Sequence, residues 1–184
     1  MNIANILTLT RIFLVPFFVL FMMVGNENSI YFVIALAIFI IASITDAIDG
    51  KIARKYNLVT NFGKFMDPLA DKILVMSAFL CLLYLGIVNV VLVIIILSRE
   101  FLVTSLRLVA SSNGKVIAAN FWGKLKTVSQ MITIIFCLIE TSLPFNINLY
   151  IISNILVLIT TIITVMSGII YLWQNRKFIS DVSF

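Results

Sequence analysis

The sequence predicts an all-α integral membrane protein, a single domain of six transmembrane helices with both termini on the cytoplasmic side. Three observations lead there. Hydrophobic residues make up 62% of the 184 and charged residues 11%, with a mean hydropathy of +1.16, well beyond the composition of a soluble domain. Apolar runs near the ~20 residues needed to cross the hydrocarbon core follow one another with no polar linker that would mark a separate aqueous module. Lys and Arg fall on alternate connections only, the asymmetry that sets orientation in a membrane.

Other classes are disfavoured on the same grounds. The formal net charge of +5 comes from basic residues scattered singly, without the patch that a nucleic-acid partner requires. Cys81 and Cys137 each sit inside an apolar run, and with no His in the chain a zinc site is disfavoured. Both cysteines read as core residues. Arg11 precedes the run Ile12 to Val24, as in a secretory signal, but no small-residue cleavage pattern follows and the run enters a turn at Gly25–Ser29.

The first span is predicted over about Thr8 to Val24, with residues 1–7 as a short interfacial lead-in and Pro16 as a tolerated bend. The second starts at Ile30. Its uninterrupted apolar part ends near Ile44, short of a full crossing, so the helix must take Asp46 and Asp49 into its final turns. The third has the same shortage reversed: Ile73 to Val88 reaches full length only by extending back through Asp71 and Asp67. The fourth covers about Asn89 to Ala110 and is interrupted by Arg99, Glu100 and Arg107; the fifth runs from about Lys124 to Ile139; the sixth spans about Ile147 to Trp173, before a polar tail over 174–184.

Gly25 to Ser29, the turn near Gly86, and Glu140 to Asn146 contain no Lys or Arg, whereas the opposite connections and ends carry Arg11, Lys51, Arg54, Lys55, Lys64, Lys115, Lys124, Lys126, Arg176 and Lys177. This places the stretch Asp46 to Asp71 in a cytoplasmic hairpin between the second and third helices. Trp122 and Trp173, near predicted span ends, read as interfacial anchors.

That hairpin holds four of the eight acidic residues of the chain. Ionisable groups are costly in a membrane domain and point to function. Asp46 and Asp49 are three positions apart, Asp67 and Asp71 four, so each pair shares a helical face. Four adjacent carboxylates repel one another unless a cation is supplied, and hard oxygen donors suit Mg²⁺, Mn²⁺ or Ca²⁺. Such a set can bridge two ions about 4 Å apart, an arrangement that serves phosphoryl displacement. Gly50 and Ala53 continue the acidic stripe with small side chains, Arg54 adds a fork suited to phosphate oxygens, and Gly63 offers close approach to backbone. The alternative for Gly50 and Ala53 is close helix packing.

The pattern Asp46-x2-Asp49-Gly50-x2-Ala53-Arg54-x8-Gly63-x3-Asp67-x3-Asp71 resembles the complete signature of the CDP-alcohol phosphotransferases. The resemblance implies that family's six-helix bundle and an enzyme dependent on two divalent cations, Mg²⁺ or Mn²⁺. It implies Asp46, Asp49, Asp67 and Asp71 as metal ligands, Asp71 as general base, with Asp67 beside it in catalysis. It further implies Gly50, Ala53, Arg54 and Gly63, with Asp49, as the cradle for the cytidine nucleotide, and a homodimer.

The fourth helix speaks to the acceptor. Glu100, Thr104, Arg107 and Ser111 share one helical face with Arg99 on its edge, and Lys115, Lys124 and Lys126 gather on the next connection. A basic group of this kind suits an acceptor carrying a phosphate, with Arg107, Arg99, Lys124 and Lys115 as candidates. Alternatively, Glu100 neutralises an arginine within the bundle, and Lys124 and Lys126 set topology or meet anionic lipid. The stretches NIANILTLTRIFLVPFF, FGKFMDPLADKILV, SREFLVTSLRLVA and GKVIAANFWGKLKTVSQM resemble the bacterial phosphatidylglycerophosphate-forming branch of the family. That branch implies CDP-diacylglycerol and sn-glycerol 3-phosphate as substrates. Asn5, Thr8 and Arg11 match polar N-terminal positions of the family that approach the nucleotide, though a lone Arg at a helix start also sets topology. A cardiolipin synthase, a phosphatidylinositol-phosphate synthase and, outside catalysis, a divalent-cation transporter are the competing readings.

Overall fold

A computed structural model of the chain describes the backbone of residues 3–55, 61–112, 121–144 and 146–176, and the side chains of these except 3–7, 46–55, 61–68, 71 and 112. Six helices follow in order: α1 (Ile3–Val24), α2 (Ile30–Lys55), α3 (Asn61–Tyr84), α4 (Val90–Ser112), α5 (Phe121–Ser142) and α6 (Ile147–Gln174). No strand occurs among the described residues.

Asparagine starts three of them. Asn28 Oδ1 accepts from Ile30 N at 3.0 Å, Asn89 Oδ1 from Val91 N at 2.8 Å, and Asn146 Oδ1 from Asn148 N at 2.9 Å. Each satisfies an amide that a helix start leaves unpaired. All three lie in the connections that lack Lys and Arg. The third helix stops earlier than its apolar run, at Tyr84, because Gly86 adopts φ 75°. Gly86 N donates to Leu83 O and Ile87 N to Leu82 O, both at 3.0 Å, the paired bonds that close a helix on a left-handed glycine. At the other end α1 runs unbroken from Ile3, so the lead-in from that residue on is continuous with the first apolar helix.

In the bundle, α1 packs on α2 and α3, α5 bridges α2, α3 and α6, and α4 meets α3 and α6. Phe18, Met22, Phe39, Phe79, Leu82, Ile96, Ile134 and Leu138 are buried at the centre, with Cys81 and Cys137 among them. Ala35, Ala42, Ala70, Ala78 and Ala110 are also fully buried, since small side chains let helices approach closely where lipid gives no hydrophobic drive to associate. Large apolar side chains face outward from all six helices, among them Phe13, Ile41, Leu80, Ile94, Ile132 and Ile162. Water does not tolerate so extensive an apolar coat, and the bundle is membrane-associated. By length and composition alone, α5 and α6 are able to cross a membrane among the described residues, and shorter apolar stretches, Thr8–Val24, Ile30–Thr45 and Lys72–Tyr84, lie within α1, α2 and α3.

Candidate active site

The acidic hairpin is helical on both arms. α2 continues through Asp46, Asp49, Gly50, Ala53 and Arg54 to Lys55, and α3 begins before Gly63, Asp67 and Asp71. Each acidic pair therefore lies within about one turn of a continuous helix, on helices that are neighbours in the bundle. The side chains of these eight residues, and of Asn5, lie outside the described ones, as does Lys115 altogether. Among the described residues no three His, Cys, Asp or Glu side chains gather as a metal group.

On α1, Thr8 and Arg11 are both fully buried. They sit three positions apart on one face, turned into the bundle rather than toward lipid.

The charges of α4 divide into two sets. Glu100 is buried and forms the hub of a cross-helix network: Lys72 Nζ of α3 donates to its Oε2 at 3.2 Å, Arg99 Nη1 to its Oε1 at 3.4 Å, Gln130 Nε2 of α5 to the same oxygen at 3.5 Å, and Lys126 Nζ of α5 also bonds Oε1. One carboxylate thus faces three cations, and α3, α4 and α5 are tied together where they meet. A cleft of about 20 Å³ beside it, lined by Lys72, Met76, Glu100, Lys126, Thr127 and Gln130, has room for water but not for a substrate. Arg99 turns the other way with its second nitrogen, Nη2 donating to Ser167 Oγ of α6 at 2.7 Å.

Arg107 and Lys124, by contrast, are exposed. The basic group on the fourth helix and the connection after it is therefore not one surface. Lys126 and Arg99 are held inside by Glu100, while Arg107 and Lys124 stay open to a ligand. Glu100 neutralises an arginine within the bundle, as one of the two readings of its position holds.

The polar face of α6 is not evident from the sequence. Ser153, Thr160, Thr161, Thr164, Ser167 and Tyr171 are all buried, at spacings of three, four or seven that return to one side of a helix. That periodicity within an apolar run was the available signal. Thr160 bonds Thr133 of α5 at 2.7 Å, and Ser153 bonds Glu140 near the end of α5.

The arrangement is a membrane bundle with an acidic helical hairpin at one end and an exposed arginine, Arg107, on the neighbouring α4. A family model described as CDP-alcohol phosphatidyltransferase matches residues 1–172, and the chain belongs to that family. Among its relatives, a CDP-diacylglycerol–glycerol-3-phosphate 3-phosphatidyltransferase of Bacillus subtilis is 44% identical over 184 residues, covering 95% of each chain. A Mycobacterium tuberculosis protein named "Probable phosphatidylglycerophosphate synthase" is 41% identical over 182 residues, 98% of this chain and 85% of its own. A Haemophilus influenzae protein bearing the same name as the Bacillus one is 37% identical over 186 residues, 98% and 96% of the two chains.

Proposed function

We propose that the chain transfers the phosphatidyl group of CDP-diacylglycerol to sn-glycerol 3-phosphate, giving phosphatidylglycerophosphate and CMP. The observation that carries this is the end-to-end likeness to the Bacillus subtilis enzyme named for that reaction, 44% identical over 184 residues. The signature from Asp46 to Asp71 supports the CDP-linked donor, and the exposed Arg107 supports an acceptor with a phosphate of its own.

All six helices span the bilayer in this reading, with both termini and the acidic hairpin on the cytoplasmic side. The supporting features are the three connections free of Lys and Arg and the exposed Trp173, over whose ring Arg176 lies at 5.3 Å, an interfacial pairing of aromatic and cation. The family resemblance is the ground for a homodimer.

Two divalent cations, Mg²⁺ or Mn²⁺, fit the donor chemistry of the hairpin: two carboxylates within one turn on each of two adjacent helices are four hard oxygen donors with no competing His or Cys. Asp46, Asp49, Asp67 and Asp71 would hold them, and when bound they would neutralise the diphosphate and the charge that develops on its oxygens. Asp71 takes the proton of the acceptor hydroxyl as its oxygen bonds to the β-phosphorus. The bond from that phosphorus to the oxygen bridging to the α-phosphate breaks, and CMP leaves with that oxygen. Asp67, one turn before Asp71, is placed with it in catalysis. Gly50, Ala53, Arg54 and Gly63, with Asn5 and Thr8 of α1, hold the cytidine and its phosphates. Arg107 takes the acceptor phosphate with Lys124 and Lys115, and Arg99 stands behind them. The acyl chains remain in lipid while the headgroup enters from the interface.

An acceptor panel tests the reading. Purified protein in nanodiscs, given CDP-diacylglycerol and Mg²⁺, should release CMP with glycerol 3-phosphate and not with phosphatidylglycerol or inositol phosphate supplied singly. Release with one of the others instead, or metal flux into proteoliposomes without CDP-lipid turnover, would overturn it.

A further inference from the structure

Most of the buried hydroxyls of α6 are satisfied inside the protein. Thr161 Oγ1 donates to Val157 O at 2.8 Å, Thr160 bonds Thr133, and Ser167 accepts from Arg99. Thr164 Oγ1 and Tyr171 Oη are not: both are buried with no partner among the described residues, and Arg99 Nε, in the same seam, has none either. Thr164 is fully buried and Tyr171 is 3% exposed, so bulk water does not compensate them. Such a group costs free energy, and a phenylalanine would avoid the cost entirely. An unsatisfied buried phenol calls for an occupant.

The surroundings say what kind. Arg99 lies against Ser167, and Gly168 leaves it space, since a Cβ there would come within 3.0 Å of Arg99 Cγ. The Tyr171 hydroxyl lies in the field of Arg107 and of Arg99. Arg99 sits level with Ser167, and Arg107, two turns further along α4, acts electrostatically on Tyr171, one turn further along α6, so the two helices run the same way. Tyr171 then stands about 6 Å along α6 from Ser167, toward the end where Arg107 is exposed. Among the described residues the carboxylate that meets Arg99 is Glu100, which already has Arg99, Lys72 and Lys126 around it. The hydroxyl is an unpaired buried donor in the positive field of two arginines, a setting for a phosphate oxygen rather than for a cation or an apolar chain.

We infer that Tyr171 is a specificity-determining residue for the acceptor, its hydroxyl donating to the acceptor phosphate that Arg107 holds. The inference rests on the acceptor reading given above and extends it to a residue of α6. It separates a phosphorylated acceptor from an unphosphorylated one by a buried donor that only the former satisfies, a form of discrimination stronger than any apolar pocket gives.

Tyr171→Phe in the full chain, in nanodiscs, is the test. The KM for glycerol 3-phosphate should rise about tenfold while the KM for CDP-diacylglycerol and kcat stay near wild type, and competitive inhibition by inorganic phosphate should weaken in parallel. The Tm should be unchanged or raised, because the lost hydroxyl had no protein partner. An unchanged KM for glycerol 3-phosphate would mean that the seam holds water only and would overturn the inference. So would an equal rise in both KM values, or a lowered Tm accompanying lost activity, which would show a structural role. If the wild-type protein uses a different acceptor, the acceptor reading itself fails, and Tyr171 is then judged on the KM of that acceptor: a rise for one that carries a phosphate keeps the inference, while no change, or an acceptor without a phosphate, ends it.

Discussion

Arg99 of α4 donates through Nη2 to Ser167 Oγ of α6 at 2.7 Å, in a seam where Gly168 leaves just enough space for the arginine stem. Hydrogen bonds between membrane helices are worth ~0.6 kcal/mol on average, and those to a charged group ~1.5–3 kcal/mol. Ser167→Ala should therefore lower stability by about 1–2 kcal/mol, and Gly168→Ala should also destabilise by pressing on Arg99 Cγ. Thermal unfolding of the detergent-solubilised protein measures both. A wild-type Tm for each variant would show that the seam is not held by this contact.

Glu100 is asymmetric with its partners, because among the described residues it pairs with three cations and each of them pairs with Glu100 alone. Removing it leaves Lys72, Arg99 and Lys126 facing one another in a buried seam, whereas removing Lys126 leaves Glu100 still paired twice. Breaking a buried pair from the side that strands charge costs ~3–5 kcal/mol. Glu100→Gln should thus be the more destabilising change and Lys126→Met the milder one. The double variant should fall short of the sum, with a coupling of about 1–3 kcal/mol. Chemical or thermal unfolding of the four proteins gives the cycle, and additivity within error would remove the Glu100–Lys126 pair from the account.

What the sequence makes legible follows from the cost of each feature. Asp46, Asp49, Asp67 and Asp71 stand out because charge is rare in an apolar chain, and the starts at Ile30 and Ile147 are marked by an asparagine shortly before each. The end of α3 is not legible from hydropathy: the apolar run continues to Val88, while the left-handed Gly86 closes the helix at Tyr84. Lys126 cannot be told from Lys124 by spacing, since its partner is 26 residues away in Glu100. The hydroxyls of α6 are ambiguous for another reason. A Ser or Thr in a membrane helix can bond its own carbonyl four residues back, as Thr161 does, and nothing local distinguishes it from one aimed at another helix.

Gly25 lies under the ring of Phe32 where α1 turns into α2. A Cβ at this position would fall 2.2 Å from Phe32 Cε1, and Phe32 is itself buried in the core. Gly25→Ala must push the ring out of its packing, with a cost of about 1–3 kcal/mol as for other overpacked sites. A drop in Tm with an unaltered KM for either substrate is the expected outcome, because the turn lies at the opposite end from the acidic hairpin. A wild-type Tm would mean that the ring moves freely.

Asp71→Asn keeps size and removes the capacity to take a proton. If the side chain is the general base, turnover should fall by about 10²–10⁴-fold while the variant is extracted and unfolds like the wild type. Chelation with EDTA should abolish turnover of the wild type, and Mg²⁺ or Mn²⁺ should restore it. Turnover of Asp71→Asn within a few-fold of wild type would take the base role from this residue, and activity that survives chelation would take the cations from the hairpin.

Arg107 and Arg99 occupy the same helix but should fail differently. Arg107 is exposed and available to a phosphate, whereas Arg99 is built into the seam with Ser167 and Glu100. Arg107→Ala should raise the KM for glycerol 3-phosphate about tenfold or more, with little change in Tm or in the KM for CDP-diacylglycerol. Arg99→Ala should lower Tm first, because it strands Ser167 and removes one of the cations around Glu100. Steady-state kinetics with each substrate varied in turn, together with unfolding curves, separates the two patterns. An equal rise in both KM values for Arg107→Ala would place that side chain near the nucleotide rather than the acceptor, and would leave Lys124 as the exposed cation to test next.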